Sequence, residues 1–243
     1  MAAVDTVSGV PTLLILKDHD DPVIDLYVRK KVEYAESLGA RAVVKKLPVE
    51  EMAGEIERAN GNTEIRGMIV QLPLLDRGAT DELVAKIAPE KDVDGLAGGR
   101  PTATAAAVDR WVRERLTESE LAGRRIAVVG RGRLVGAPLA KLWREQGLDV
   151  DVFTSKDAAR LPEELPKYDL IVMATGVPGV LKAEMVSPGT LVVDAGTATD
   201  SGEVKGDVAD EVRALPGVTV TPKVGGIGPM TVRVLFERLL EAV

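Results

Sequence analysis

Arg125-Ile126-Ala127-Val128-Val129-Gly130-Arg131-Gly132-Arg133-Leu134-Val135-Gly136-Ala137 decides how the rest of the chain is read. An apolar run of strand length meets three glycines, and helical patterning follows over 136–146. Glycines there permit a tight turn, and the free N–H groups of a helix start receive a pyrophosphate. Glycines at strand–helix turns also serve plain packing, so the strand before and the helix after give the pattern its meaning. Short apolar strands continue at 150–153, 169–173, 191–194 and 218–220. This alternation is that of a Rossmann-type nucleotide-binding domain with a parallel sheet.

A similar alternation runs upstream. Residues 12–16 read as a buried strand, 22–39 as a helix with Pro22 in its first turn and Gly39 at its stop, and 42–44 as a strand. Then come a helix at 50–59, a strand at 67–70 and a helix at 80–87 capped by Thr80. Thr104 is expected to cap a helix running from 105 to about 118. Ile24, Val28, Val32 and Ala35 form the apolar stripe of the first helix. Parallel strands gather ligands at their carboxyl ends. Gln71 directly follows such a strand, and Asp94 follows the next helix. The fold expected is α/β in two domains, with the substrate domain N-terminal and the nucleotide domain after it.

Composition is consistent with that division. A chain of 243 residues suits two moderate cores, and 3% aromatic content makes them aliphatic. A net charge of −7 disfavours a nucleic-acid footprint. The absence of cysteine excludes disulfides, thiol catalysis and thiolate metal sites. The single histidine, His19, lies in an acidic turn and reads as a solvated loop residue, so no metal site is expected. No apolar run approaches the ~20 residues of a membrane span, and the N-terminus lacks a signal peptide's pattern. The expectation is a soluble cytoplasmic protein without membrane or nucleic-acid partners.

The nucleotide follows from the end of the second strand. NAD needs a carboxylate there for its ribose hydroxyls. Asp151 instead sits inside the strand on an alternating polar face and is expected to point to solvent. Arg131, Ser155 and Lys156 offer donors for a 2′-phosphate. NADP is the cofactor expected, with NAD the alternative. On the first helix Tyr27 and Lys31 are four apart and share a face bordering the apolar stripe. A partly desolvated lysine there would have a lowered pKa and exchange protons near neutrality. Alternatively, Arg29, Lys30 and Lys31 are a solvated basic patch.

In order and spacing, Tyr27-x-x-x-Lys31, Val70-Gln71-Leu72-Pro73, Asp92-Val93-Asp94-Gly95, the glycine loop and Gly225-Gly226-Ile227-Gly228-Pro229-Met230-Thr231 carry a family likeness. Over roughly residues 12–240 the chain resembles the bifunctional methylenetetrahydrofolate dehydrogenase/methenyltetrahydrofolate cyclohydrolase family. The resemblance implies a catalytic set of Lys31, Gln71 and Asp94. Lys31 is the catalytic lysine, Gln71 bonds it, and Asp94 is a ligand for the pterin. It implies substrate contacts at Tyr27, Gly225, Gly226 and Pro229, with Pro229 at the first helical position. The cofactor set is Gly130, Arg131, Gly132, Val135, Gly136, Ser155, Thr175 and Gly176. The implied domains are 1–106 with a returning C-terminal helix at 229–243, and 107–228. Tetrahydrofolate derivatives are the implied partners, together with a second copy of the chain in a homodimer. The implied chemistry is oxidation of 5,10-methylenetetrahydrofolate with NADP, then hydrolysis to 10-formyltetrahydrofolate. The sequence departs from the family pattern at Ile24, Gly132, Thr154, Lys223-Val224 and the short loop 96–100, and it begins almost at the first strand. A dehydrogenase restricted to folate or a related pterin, a shikimate-type enzyme and a non-catalytic nucleotide-binding subunit are the rival readings.

Overall fold

A computed structural model of the chain describes residues 9–196, 198–200 and 203–241. The ends of the expected segments, 1–8 and 242–243, lie outside the described residues. The chain forms two compact units, 1–100 with 232–243, and 101–231. The first division precedes the expected 106/107 because residues 103–113 are one continuous helix. The second falls inside the C-terminal helix, three residues past the expected 228/229.

The first unit carries a parallel sheet of β1 (Thr12–Lys17), β2 (Arg41–Lys46) and β3 (Ile65–Val70) in the order β2-β1-β3. Its helices are α1 (Pro22–Ser37), α2 (Val49–Gly61) and α3 (Thr80–Ala85). The central strand β1 is apolar without alternation because both its faces are covered. Leu14 and Leu16 lie in one core with Met52, Ile56, Leu83 and Ile87. Helix α1 begins where the Asp21 carboxylate accepts from the N–H groups of Val23 and Ile24, at 2.9 and 3.1 Å. Thr80 is not the cap of α3. Asp76 accepts from Gly78 N–H in the turn before, and Thr80 is buried as the first helical residue. Helix α2 is closed from outside, since the Lys91 ammonium donates to the carbonyls of Ala59, Asn60 and Asn62.

The second unit begins with α4 (Ala103–Arg113) and α5 (Glu118–Ala122). Here Thr102, not Thr104, is the cap. Its oxygen accepts from Ala105 N–H at 3.2 Å while its hydroxyl donates to Leu134 O at 2.6 Å. The expected single helix ends at Arg113, and Thr117 with Glu120 builds a capping box that starts α5. There follow β4 (Ile126–Val129), α6 (Gly136–Glu145), β5 (Val150–Phe153), α7 (Leu161–Glu164), β6 (Leu170–Met173) and β7 (Leu191–Asp194). An antiparallel hairpin of β8 (Ala198–Asp200) and β9 (Glu203–Lys205) was not legible as strand. Then come α8 (Asp210–Arg213) and β10 (Thr219–Val220). The sheet is parallel, in the order β10-β7-β6-β4-β5. The strand order reverses at β4/β6, where such folds open a ligand crevice.

The last helix, α9 (Ile227–Glu241), returns to the first unit from Val232 onward. There Leu235, Phe236 and Leu239 are buried, and Phe236 meets the Tyr34 ring edge-on at 5.4 Å.

Candidate active site

Helix α1 buries Ile24, Val28, Lys31 and Ala35, a spacing of four, three and four along one face. Lys31 therefore sits on the apolar stripe rather than beside it, and Val32 is only half-buried. Lys31 is 8% exposed, whereas Arg29 and Lys30 are exposed, so the three do not form one solvated patch. The Lys31 Nζ donates to Gln71 Oε1 at 2.6 Å. Gln71 is set by β3, and its own N–H donates to Leu16 O in β1. Burial pushes the Lys31 pKa down, opposed by the charge of Asp94.

Asp94 is brought beside Lys31 by the loop along β3. Met68 N–H donates to Lys91 O at 2.8 Å, which docks the Lys91-Asp92 segment on that strand. Asp92, 2% exposed, accepts from the N–H groups of Gly95, Leu96 and Ala97 and folds the turn that carries Asp94. Gly95 has φ +75°, a value glycine adopts without strain. From α9, Arg238 donates to Val93 O at 2.9 Å. Burial raises the Asp94 pKa and Asp92 adds to this, while Lys31 and Arg238 oppose it. Lys31 thus bonds Gln71 and feels the charge of Asp94, and Tyr27 is half-buried one turn before Lys31. Asp92 and Arg238 were missed. An aspartate ahead of a short Gly turn was a usable signal for Asp92, whereas nothing local marks Arg238.

The remaining substrate residues expected, Gly225, Gly226 and Pro229, belong to the second unit. Gly225 has φ +80°, and a Cβ on Gly226 would lie 2.5 Å from Pro222 O. Helix α9 opens at Ile227, so Pro229 is its third residue and not its first. First-turn N–H groups have no intrahelical acceptor, so proline is tolerated there.

In the nucleotide loop Gly130 has φ +110°, and a Cβ on it would lie 2.2 Å from Ala174 O. A Cβ on Gly136 would lie 2.0 Å from Gly130 O. The backbone here closes so tightly that side chains are excluded, the feature that lets a pyrophosphate approach. Gly132 has open space around it, and Val135 is buried as an anchor of the loop. Arg131 and Ser155 are exposed at the ends of β4 and β5. Arg131 and Thr154 line a groove of about 680 Å³ with Lys141, Arg144 and Glu145 of α6. Asp151 is exposed, as expected, and accepts from the Tyr168 hydroxyl at 2.6 Å; burial and this bond push that phenol up to about 12. This leaves Arg131 and Ser155 without a competing ribose carboxylate on β5. The donor set fits NADP.

Thr175 and Gly176 follow β6, but the Thr175 hydroxyl is committed to Asp207, to which it donates at 2.9 Å. Asp207 was also missed, because its partners lie 31 and 32 residues away. Among the described residues, no group of three or more His, Asp or Glu side chains could hold a metal ion. Among them, too, no helix is long and apolar enough to cross a membrane.

The sequence model of the tetrahydrofolate dehydrogenase/cyclohydrolase catalytic domain matches residues 2–94, and that of the NAD(P)-binding domain of the same family matches 102–243. The bifunctional protein FolD of Exiguobacterium sibiricum is 34% identical over 247 residues, spanning 96% of this chain and 88% of that protein. The methylenetetrahydrofolate dehydrogenase-cyclohydrolase of Trypanosoma brucei, solved with NADP cofactor and inhibitor, is similar with a TM-score of 0.87 at 29% identity, over 96% of this chain and 86% of that one. The Campylobacter jejuni enzyme FolD gives 0.86 at 29% identity, over 96% and 88%.

Proposed function

The chain belongs to the tetrahydrofolate dehydrogenase/cyclohydrolase family, and from that membership we propose a role for each residue of its site. The protein is an NADP-dependent methylenetetrahydrofolate dehydrogenase and methenyltetrahydrofolate cyclohydrolase. Its first unit is the substrate domain, its second the nucleotide domain. When bound, NADP⁺ supplies the acceptor for the hydride of the methylene carbon. Gly130, Arg131, Gly132, Val135, Gly136, Ser155, Thr175 and Gly176 would hold it, with Arg131 and Ser155 toward the 2′-phosphate. The protein acts as a cytoplasmic homodimer.

Asp94 accepts the paired N–H donors of the pterin, its 2-amino group and adjacent ring nitrogen, two-pronged. Tyr27 lies against the folate. In the hydrolysis, the oxygen of water bonds to the amidinium carbon while its proton passes to Lys31 in its unprotonated form, the form that burial favours. The carbon–N5 bond then breaks and N5 keeps the electron pair. N5 takes the proton held by Lys31, and the remaining hydroxyl proton leaves for solvent, giving the 10-formyl product. A neutral partner suits this role. Gln71 orients the amine without fixing its charge, as a carboxylate would.

The observation that carries this reading is the buried Lys31 amine donating to a neutral amide with Asp94 in its field. The test follows NADPH and methenyltetrahydrofolate absorbance separately, with methylenetetrahydrofolate and each nicotinamide cofactor. Lys31→Met should abolish hydrolysis, so that the methenyl compound accumulates, while NADP affinity stays within about twofold. Loss of hydrolysis and NADP binding in equal measure would assign Lys31 a purely structural role.

A further inference from the structure

We propose that Asp207, without itself contacting the dinucleotide, is the positioning residue that sets the Thr175–Gly176 turn for NADP. The proposal rests on the cofactor role given above to that turn. One oxygen, Asp207 Oδ2, accepts from Thr175 N–H at 2.6 Å, Thr175 Oγ1 at 2.9 Å and Gly176 N–H at 3.3 Å. The Thr175 hydroxyl accepts in turn from Val177 N–H at 3.1 Å. The hydroxyl's only proton is thus committed to Asp207, so toward a ligand the turn's donors are main-chain N–H groups.

Asp207 is held as firmly from its other side. It is fully buried, and its own N–H donates to Asp194 Oδ1 at 2.9 Å. Asp194 Oδ2 accepts from Val208 N–H at 3.3 Å and from Arg213 Nη2 at 2.6 Å, and Arg213 Nη1 reaches Thr221 O. Two glycines make the clasp possible. A Cβ on Gly196 would lie 2.0 Å from the Asp207 carboxyl carbon, and one on Gly206 would lie 2.1 Å from Asp194 Oδ2. Each carboxylate therefore packs directly on the backbone at the opposite foot of the β8–β9 hairpin. The segments 194–196 and 206–207 are locked together, and through Asp207 they grip the turn after β6.

That grip reaches the nucleotide loop directly. The Ala174 carbonyl, one residue before the gripped turn, is the atom that leaves no space for a Cβ at Gly130. The wall of the crevice at the β4/β6 switch point is thus set by a carboxylate 31 to 32 residues further along the chain. Burying two acids against one arginine is costly, and hydrophobic residues often replace such arrangements at no loss of stability. Here Asp207 Oδ1 and Arg213 Nε have no hydrogen-bond partner among the described residues. That cost points to the geometry the device imposes rather than to stability.

The test titrates NADP into the purified full-length protein by calorimetry and measures both activities. Asp207→Ala should raise Kd and KM for NADP about tenfold or more, the scale for losing hydrogen bonds to a buried charged acceptor. kcat should stay within about threefold, and hydrolysis of methenyltetrahydrofolate should be unchanged. Asp207→Asn should recover most of the affinity, because its amide oxygen still accepts from the turn. A lower melting temperature with unchanged Kd and KM would mean that the carboxylate only holds the fold, which overturns the proposal. If Asp207→Ala does not fold, Thr175→Val removes the hydroxyl arm alone and should still weaken NADP by about threefold, with unchanged affinity counting against. Gly176→Val separates the two levels of argument. If it leaves NADP affinity unchanged, the turn is not at the cofactor and the underlying reading fails. If it weakens NADP while the Asp207 variants do not, only the present proposal fails.

Discussion

Burial of the Lys31 amine disfavours its charged form, and this gives the fold a definite pH dependence. The unfolded lysine titrates near 10.4, and burial lowers the folded value, with Asp94 opposing but not cancelling the effect. Below the folded pKa both states carry the proton and the cost is present in full. Between the folded pKa and about 10.4 the unfolded chain binds more protons, so stability rises with pH across that window. Lys31→Met, which removes the charge, should therefore be no less stable than the parent in urea at pH 7. Its advantage should shrink as pH climbs toward about 10.4. A loss of more than about 1 kcal/mol would mean that the attraction of Asp94 outweighs the desolvation. The importance of Lys31 was legible from its spacing to Tyr27 and the family strings around it. Its place on the apolar stripe was not, because hydropathy prefers Val32, whereas the helical repeat aligns position 31 with Ile24, Val28 and Ala35. What tips the balance is Gln71, 40 residues away at the end of β3.

Caps show the same division between local and distant causes at the scale of elements. Thr102 and Thr104 both precede an alanine-rich helix, and the sequence offers no local ground for choosing between them. The choice is made by Leu134, whose carbonyl accepts from the Thr102 hydroxyl 32 residues away, just before the helix that opens at Gly136. Thr102→Ala should cost about 1–2 kcal/mol in urea unfolding, for the cap and for the carbonyl left without its donor. Thr102→Ser should restore most of that, and Thr104→Ala should cost under about 0.5 kcal/mol. Equal costs at 102 and 104 would refute the assignment. The buried strands β1, β3, β4, β6 and β7 were readable because buried parallel strands are largely unbroken apolar runs. The β8–β9 hairpin was not, being three polar-flanked residues a side, and α5 was not, because five residues hold too little periodicity. Asp207 and Arg238 stayed hidden for a related reason. Their partners are mostly backbone N–H or carbonyl groups far along the chain, which leave no mark in the pattern of side chains.

Over the whole molecule, residues far apart in the chain are needed in one place. The first unit takes in the end of α9 from Val232 onward, where Val234, Leu235, Phe236 and Leu239 are buried. Gly67 in β3 lies so close to this helix that a Cβ on it would be 2.7 Å from the Leu239 side chain and 2.7 Å from that of Val93. Arg238 holds Val93 O, and with it the loop that presents Asp94. Four buried apolar side chains at about 1.5–3 kcal/mol each amount to roughly 6–12 kcal/mol, comparable with the whole stability of a typical domain. A chain ending at Thr231 should therefore lose hydrolase activity and amide-exchange protection in β1, β2 and β3. Protection in β4, β6 and β7 should persist, because the second unit keeps all its own strands and the start of α9. Supplying residues 227–243 as a peptide should restore protection in the first unit in a concentration-dependent way. Native exchange in β1–β3 without the peptide would show that the sheet is self-sufficient, and the returning helix would then matter only for placing Asp94.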